Sequence, residues 1–227
     1  MIPPLIVQTA ITNGLNLIAI TDHNASDNVA AVIKAAEGED LTVLPGMELQ
    51  TQEDVHVLCL FDTMDQLAEL QTLVNKNLPE IKNNIEFFGE QFIVDKSGEF
   101  VARKEQLLIT GTRLSFEKVF NVVTGLGGLF IPAHVNRQVF GLITHLGFVP
   151  PDLAIDALEI SRHITAEEAR QEFPQINAYQ LIQSGDVHFL DDFLGVNHFL
   201  ISEPTISELK MALRDEAGRK FSILTRF

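Results

Sequence analysis

Short apolar runs alternate with helix-patterned segments along most of this chain. That alternation restricts it to folds in which buried strands are covered by helices. Leu15–Ile20 is almost continuously apolar, as a parallel strand buried on both faces must be. Leu41–Leu44, Val55–Phe61, Leu129–Ile131, Asp156–Ile160, Tyr179–Ile182 and Phe199–Ser202 read as further strands. Between them, Pro3–Asn13 has proline in its first turn and Gly14 just past its end, which marks a helix. Ser26 is positioned to cap a helix running to about Glu37, with Gly38 as its stop. A helix over Ser115–Leu126 leads through Gly127-Gly128 into the strand at Leu129. Thr63-Met64-Asp65-Gln66 and Thr165-Ala166-Glu167-Glu168 are capping boxes, and Thr205-Ile206-Ser207-Glu208 opens a final helix. The rhythm breaks only between about Asn75 and Thr112. There two alternating runs, Gln91–Asp95 and Glu99–Ala102, flank Lys96-Ser97-Gly98, the pattern of a hairpin inserted between repeating units. The expected architecture is an α/β domain built on a parallel sheet or barrel.

The charge balance bears on partners. The chain of 227 residues carries 31 acidic and 16 basic residues, a net charge of -15. Such an excess repels a phosphate backbone at long range, so broad binding to long nucleic acid is disfavoured. A small phosphorylated substrate remains compatible, because ions and arginines in a cleft reverse the local sign. The one cysteine, Cys59, sits in an apolar run and reads as a core residue. Met1–Ala10 lacks the basic start of a secretion signal, and no apolar run approaches the roughly 18–20 residues of a membrane span. A cytoplasmic location is expected; oligomeric state is not readable.

In parallel α/β folds the chemistry collects at the carboxyl ends of the strands. The metal-capable side chains follow that rule: Asp22 and His23 after Leu15–Thr21, Glu48 after Leu41–Gly46, His134 after Leu129–Pro132, and Asp186 and His188 beyond Tyr179–Ile182. His56 is the exception, near the start of its strand. Four histidines and three carboxylates suit zinc, manganese or iron, and the absence of paired cysteines argues against a thiolate zinc site. Each residue alone has a plainer reading: Thr21-Asp22-His23-Asn24 as a turn and cap, Glu48 as a solvated turn residue. Their recurrence after successive strands favours the metal reading. His145, His163 and His198 read as structural, His163 being the one best placed to line a site. Arg137 and Arg162 follow strand ends, where they either grip phosphate in a forked geometry or form surface salt bridges.

The motifs then resemble one family. Ile18–Asn24, Leu44-Pro45-Gly46-Met47-Glu48 with His56 eight residues on, Ile131–Arg137 and Ser184-Gly185-Asp186-Val187-His188 resemble successive motifs of the PHP (polymerase and histidinol phosphatase) family. Glu203–Glu208 is similar to the segment after the last motif in small members. The resemblance implies a distorted (β/α)7 barrel holding up to three metal ions at the strand ends, with residues 1–227 one domain, 75–112 an insertion and 196–227 a C-terminal segment. It implies that Glu48 bridges two ions, that His56 and His134 complete one of them, that Asp186 serves the other, and that His23 and His188 hold the third. Asp22 would orient a ligand or the attacking water. The implied reaction is hydrolysis of a small phosphoester or short oligonucleotide by a metal-activated hydroxide. Members open with a strand carrying His-x-His and a further ligating histidine, whereas this sequence starts at Met1-Ile2-Pro3-Pro4. The start is therefore expected to fall at an internal methionine, the alternative being a true loss that leaves a non-catalytic binding or regulatory module.

Overall fold

A computed structural model describes residues 1–224; the last three residues of the expected 196–227 segment lie outside the described residues. In chain order the elements are α1 (Pro3–Thr12), β1 (Leu17–Ile20), α2 (Val29–Ala35), β2 (Thr42–Gln50), β3 (His56–Leu60), α3 (Met64–Asn77), α4 (Ile85–Phe88), β4 (Phe92–Val94), β5 (Phe100–Arg103), α5 (Phe116–Gly125), β6 (Leu129–Pro132), α6 (Leu142–Leu146), β7 (Leu158–Ile160), α7 (Ala166–Glu172), β8 (Leu181–Gln183), β9 (Asn197–Leu200), α8 (Ile206–Leu213) and β10 (Lys220–Ile223). The fold is mixed α/β. Its central sheet has the order β1-β2-β3-β6, and β4-β5, β7-β8 and β9-β10 form two-stranded sheets.

The sheet is not all parallel. β1 and β2 run parallel, as do β7 and β8, but β3 runs antiparallel to both β2 and β6. The reason is chain length: only Thr51–Val55 joins β2 to β3, and a parallel crossover needs about a dozen residues. The turn instead closes through Thr51 N–H to Val55 O (2.9 Å), with Asp54 in the left-handed region at φ 57°. This reversal brings the start of β3 to the same end of the sheet as the carboxyl ends of β1, β2 and β6. It explains why His56 breaks the strand-end rule.

Side chains of β3 and β6 divide between two cores with the period of a strand. Val57, Cys59 and Phe130 enter the larger cluster with Met47, Leu49, Leu67 and Leu70, while Leu60, Leu129 and Ile131 join Leu44, Ile206 and Leu209 on the opposite face. With both faces covered, the strands read as continuous apolar runs. β1 is different: it is an edge strand, half-buried at all four positions. At Gly128 a Cβ would lie 2.5 Å from the Phe61 ring and 2.8 Å from Leu60 O, so that approach requires glycine.

The capping boxes at Thr63 and Thr165 and the helix opening at Thr205 form as the sequence indicates, and Ser115 also caps its helix. Ser26 does not cap α2. The N-cap is Asn28, whose side chain donates to Phe92 O (3.1 Å) and accepts from Val94 N–H (3.0 Å), so it fastens the β4-β5 hairpin rather than the helix. α4 and α6, of four and five residues, are too short to leave a periodic signal. β10 pairs with β9, which lies at Asn197–Leu200 rather than Phe199–Ser202.

The C-terminal unit is held by an ion pair with a defined pH signature. Arg219 donates to both oxygens of Glu208 (2.9 and 2.7 Å), and Ser202 N–H adds a third bond at 2.8 Å. The guanidinium first, then the Ser202 amide, hold the Glu208 carboxyl at about 2. A depressed carboxyl stabilises the fold above its ordinary value of 4.5, and that contribution is lost as pH falls toward about 2. Arg219→Ala should therefore lower the melting temperature at neutral pH by a few degrees, with the gap to wild type closing below pH 4. A gap unchanged at pH 2.5 by circular dichroism would remove this account.

Candidate metal centre

Glu48 lies inside β2, not in a turn beyond it, and is buried. Its register partner is Leu58, and the next pair on the same face is Gln50 with His56, so the Glu48 and His56 side chains share one face near the reversed start of β3. His134 follows β6, whose Pro132 pairs with Val57. His23 arrives from the loop after β1. Gly46 permits that approach, because a Cβ there would lie 2.9 Å from Ile20 O and from Thr21 Cγ2. The backbones of His23 and Glu48 then form a parallel bridge.

The result is a carboxylate ringed by imidazoles. Glu48 Oε1 lies 2.9 Å from His56 Nδ1 and 3.2 Å from His134 Nε2, while Oε2 lies 3.7 Å from His23 Nδ1. Potential donor atoms of His23, Glu48 and His56 lie within 4.8 Å of one another. Phe140 stacks on the His56 ring (centroids 4.3 Å, interplanar angle 6°), and its carbonyl accepts from His56 N–H at 3.1 Å. His145 Nε2 accepts from Phe140 N–H (3.3 Å), which gives that histidine the structural role expected of it.

Burial alone would raise the Glu48 carboxyl. The hydrogen bonds with His134 and His56, and the charge of His23, outweigh it and hold the group well below the usual carboxylate range. Burial lowers His23, only partly offset by Glu48, so its neutral, ligand-competent form is favoured. With one nitrogen of each ring on Glu48, His56 Nε2 and His134 Nδ1 are left buried without a hydrogen-bond partner. Buried polar atoms of that kind are costly unless something binds them. Imidazole nitrogens and one carboxylate, with no thiolate, fit a borderline divalent ion.

The other expected residues lie around this cluster. Asp186 Oδ2 pairs with Arg137 at 2.5 Å, and its Oδ1 lies 3.5 Å from His188 Nδ1. His188 is exposed, with its ring 6.0 Å from that of His23. Asp22 is exposed, and its carbonyl accepts from Glu48 N–H (3.2 Å). Arg162 pairs with Asp192 at 2.6 Å, and His163 is exposed. Both arginines are thus in ion pairs. Among the described residues His23, Glu48 and His56 form the group whose donor atoms all lie within 4.8 Å of one another, and His134 reaches Glu48 at 3.2 Å.

Two further residues border the cluster although the sequence reading assigned neither a role there. Asn24, buried and left-handed at φ 51°, accepts from Gln50 N–H (3.1 Å) and donates to Leu108 O and Thr110 O (2.8 Å each), tying the end of the hairpin segment to the centre. Glu159 is a carboxylate buried in β7, where burial pushes it up to about 7 against the opposing bond from Ser184. Its one sequence signal is that it is the single charge within Ala157–Ile160.

The PHP domain family matches residues 3–129, and the chain belongs to that family. Among solved structures it is similar to the lesion-specific endonuclease PfuEndoQ from Pyrococcus furiosus, with 20% identity, a TM-score of 0.70, and coverage of 97% of this chain and 53% of that one. It is equally similar (19%, 0.70, 97% and 53%) to Endonuclease Q complexed with a 27-mer duplex bearing an abasic lesion at the active site. A structure assigned as a metal-dependent phosphoesterase from Bifidobacterium adolescentis matches at 19% identity and a TM-score of 0.53, over 83% of this chain and 82% of that one. The chain therefore spans about half the length of the Endonuclease Q chains, at 53%. No curated protein matches it.

Removing the central carboxylate should weaken divalent binding more than removing a rim residue. Glu48→Gln is expected to lose zinc or manganese affinity by roughly 100-fold or more, beyond the 10–100-fold typical of outer-shell partners, and His188→Ala by less. Competition with a chromophoric chelator reads both. Equal losses would place the centre elsewhere.

Proposed function

We propose that this chain is a metal-dependent phosphoester hydrolase whose ions are held by His23, Glu48, His56 and His134, with Asp186 and His188 at the rim. The observation that carries the reading is the buried Glu48 carboxylate hydrogen-bonded to two buried histidines whose outer nitrogens have no partner. Up to three zinc, manganese or iron ions would supply Lewis acidity toward phosphoryl oxygens and water at neutral pH. The chain's own residues do the rest. Glu48 fixes the imidazoles and sets their tautomers. Asp22, on the solvent side, orients the incoming water. Arg137 and Arg162 exchange their pairing with Asp186 and Asp192 for the phosphate of the substrate.

The finer architecture belongs to the same proposal: a distorted (β/α)7 barrel in one domain, with 75–112 inserted and the segment from 196 appended. The open edge of β1 beside His23 supports pairing with a further strand carrying His-x-His, which would add donors. A small phosphorylated substrate is favoured by the charge of -15, and a cytoplasmic setting by the lone buried thiol. Among the described residues no helix is long and apolar enough to cross a membrane.

A second reading takes its motive from the exposed rings of Phe87, Phe88, Phe92 and Phe100 on the 75–112 segment, which offer surfaces on which bases stack. With the likeness to Endonuclease Q, they make lesion-bearing DNA the competing substrate. The test is hydrolysis of p-nitrophenyl phosphate, short oligonucleotides and an abasic duplex by manganese- or zinc-loaded protein. We expect slow turnover of the small substrates, faster when the His-x-His segment is supplied, and a loss of about 100-fold or more in Glu48→Gln. Cleavage of the abasic duplex alone, lost in Phe87→Ala with Phe100→Ala, would favour the second reading. Metal binding without any hydrolysis, with or without the added segment, would leave a binding module.

A further inference from the structure

The loops carrying His134 and Asp186 come from different sheets, one following β6 and the other β8. Both residues sit in the left-handed region, at φ 31° and 48°. That conformation is uncommon for residues other than glycine, although Asp and His adopt it more readily than most. One buried side chain links the bonds that hold both residues in it. Glu159 Oε1 accepts from His134 N–H at 3.2 Å, and its Oε2 accepts from the Ser184 hydroxyl at 2.8 Å. Ser184 Oγ in turn accepts from Asp186 N–H at 3.3 Å, and Glu159 O accepts from Val135 N–H at 2.8 Å.

We propose that Glu159 is a positioning residue: its carboxylate clamps the His134 and Asp186 loops into one donor surface for the metal centre, a role that rests on the proposed metal site. Its neighbours Leu158 and Ile160 are sealed in the main core, and its own side chain projects between the two loops. There it meets backbone amide and hydroxyl donors rather than imidazole rings. It is therefore not a ligand. Burying a carboxylate costs stability that an apolar residue of similar size would not, so a purely structural requirement does not select glutamate here. The specific gain is two acceptors at a fixed separation, one for each loop. Parallel pairing of β7 with β8, Glu159 opposite Ile182, sets that separation within two residues of Ser184.

The test compares Glu159→Ala, Glu159→Gln and Ser184→Ala by amide hydrogen exchange of the metal-free protein, by chelator competition for zinc, and by the visible spectrum of the cobalt-loaded form. Glu159→Ala should speed exchange at His134 and Asp186 by about tenfold or more while β2 and β3 stay protected. It should weaken zinc binding by about 10–100-fold and change the cobalt bands. Glutamine keeps an acceptor for His134 N–H and can donate to Ser184, so Glu159→Gln should recover most of both. Ser184→Ala should free Asp186 and leave His134 protected. The clamp is overturned if Glu159→Ala leaves both amides protected. It is also overturned if exchange rises across the whole chain and Glu159→Gln restores nothing, which is the mark of a plain stability role. Wild-type protein that binds no divalent ion, with Glu159→Ala still showing the localised exchange, would refute the metal reading while upholding the clamp on the loops.

Discussion

A carboxylate in the middle of a strand, with Met47 and Leu49 on either side sealed in the core, has lost most of its hydration and must find it again from protein. Glu48 finds it in imidazole. That requirement ties three segments far apart in sequence to one point: the loop after β1 for His23, the start of β3 for His56, and the loop after β6 for His134. The β2–β3–β6 register, the glycine at position 46 and the short reversal at Thr51–Val55 are the means by which the backbone meets it. The same bonds leave nitrogens of His56 and His134 unmatched, so the cluster satisfies its carboxylate but not its histidines. A cation at the proposed centre would relieve this imbalance, which a buried polar network closed on itself does not have.

Around the buried centre the charges are half-buried and paired with one another. Arg137 with Asp186, and Arg162 with Asp192, place both signs at the rim of an otherwise strongly acidic molecule. Such pairs are weak where water reaches them, and a phosphate dianion competes well for a guanidinium fork. The rim can therefore receive an anion that the molecule as a whole repels.

The hairpin segment is integrated rather than merely appended. Asn28 bonds both ends of β4, Lys104 pairs with Asp27 at 3.0 Å, and Asn24 holds the carbonyls of Leu108 and Thr110. All three anchors lie in the stretch just after His23. The segment that presents the exposed phenylalanines is thus mechanically joined to the loop that carries His23.

Much of this could be read along the chain. Apolar runs, capping boxes and the Lys-Ser-Gly turn are local patterns, set by contacts within a few residues, and they located the strands, the helices at Thr63, Ser115, Thr165 and Thr205, and the hairpin. The histidines and Glu48 were legible because metal-capable side chains recurred after successive strands. What the sequence could not decide depends on which strands become neighbours and in which direction they run. His56 looked misplaced until β3 reversed. Ser26 read as the cap of α2, and only the packing of β4 decides what the Asn28 side chain bonds. Glu159, a single carboxylate in an apolar run, finds its partners only when β7 sets it between two loops about 25 residues away on either side. Side-chain type and local spacing are written in the sequence, but burial, pairing and the cost of an unmatched polar atom arise only when distant segments meet, and those decided the site.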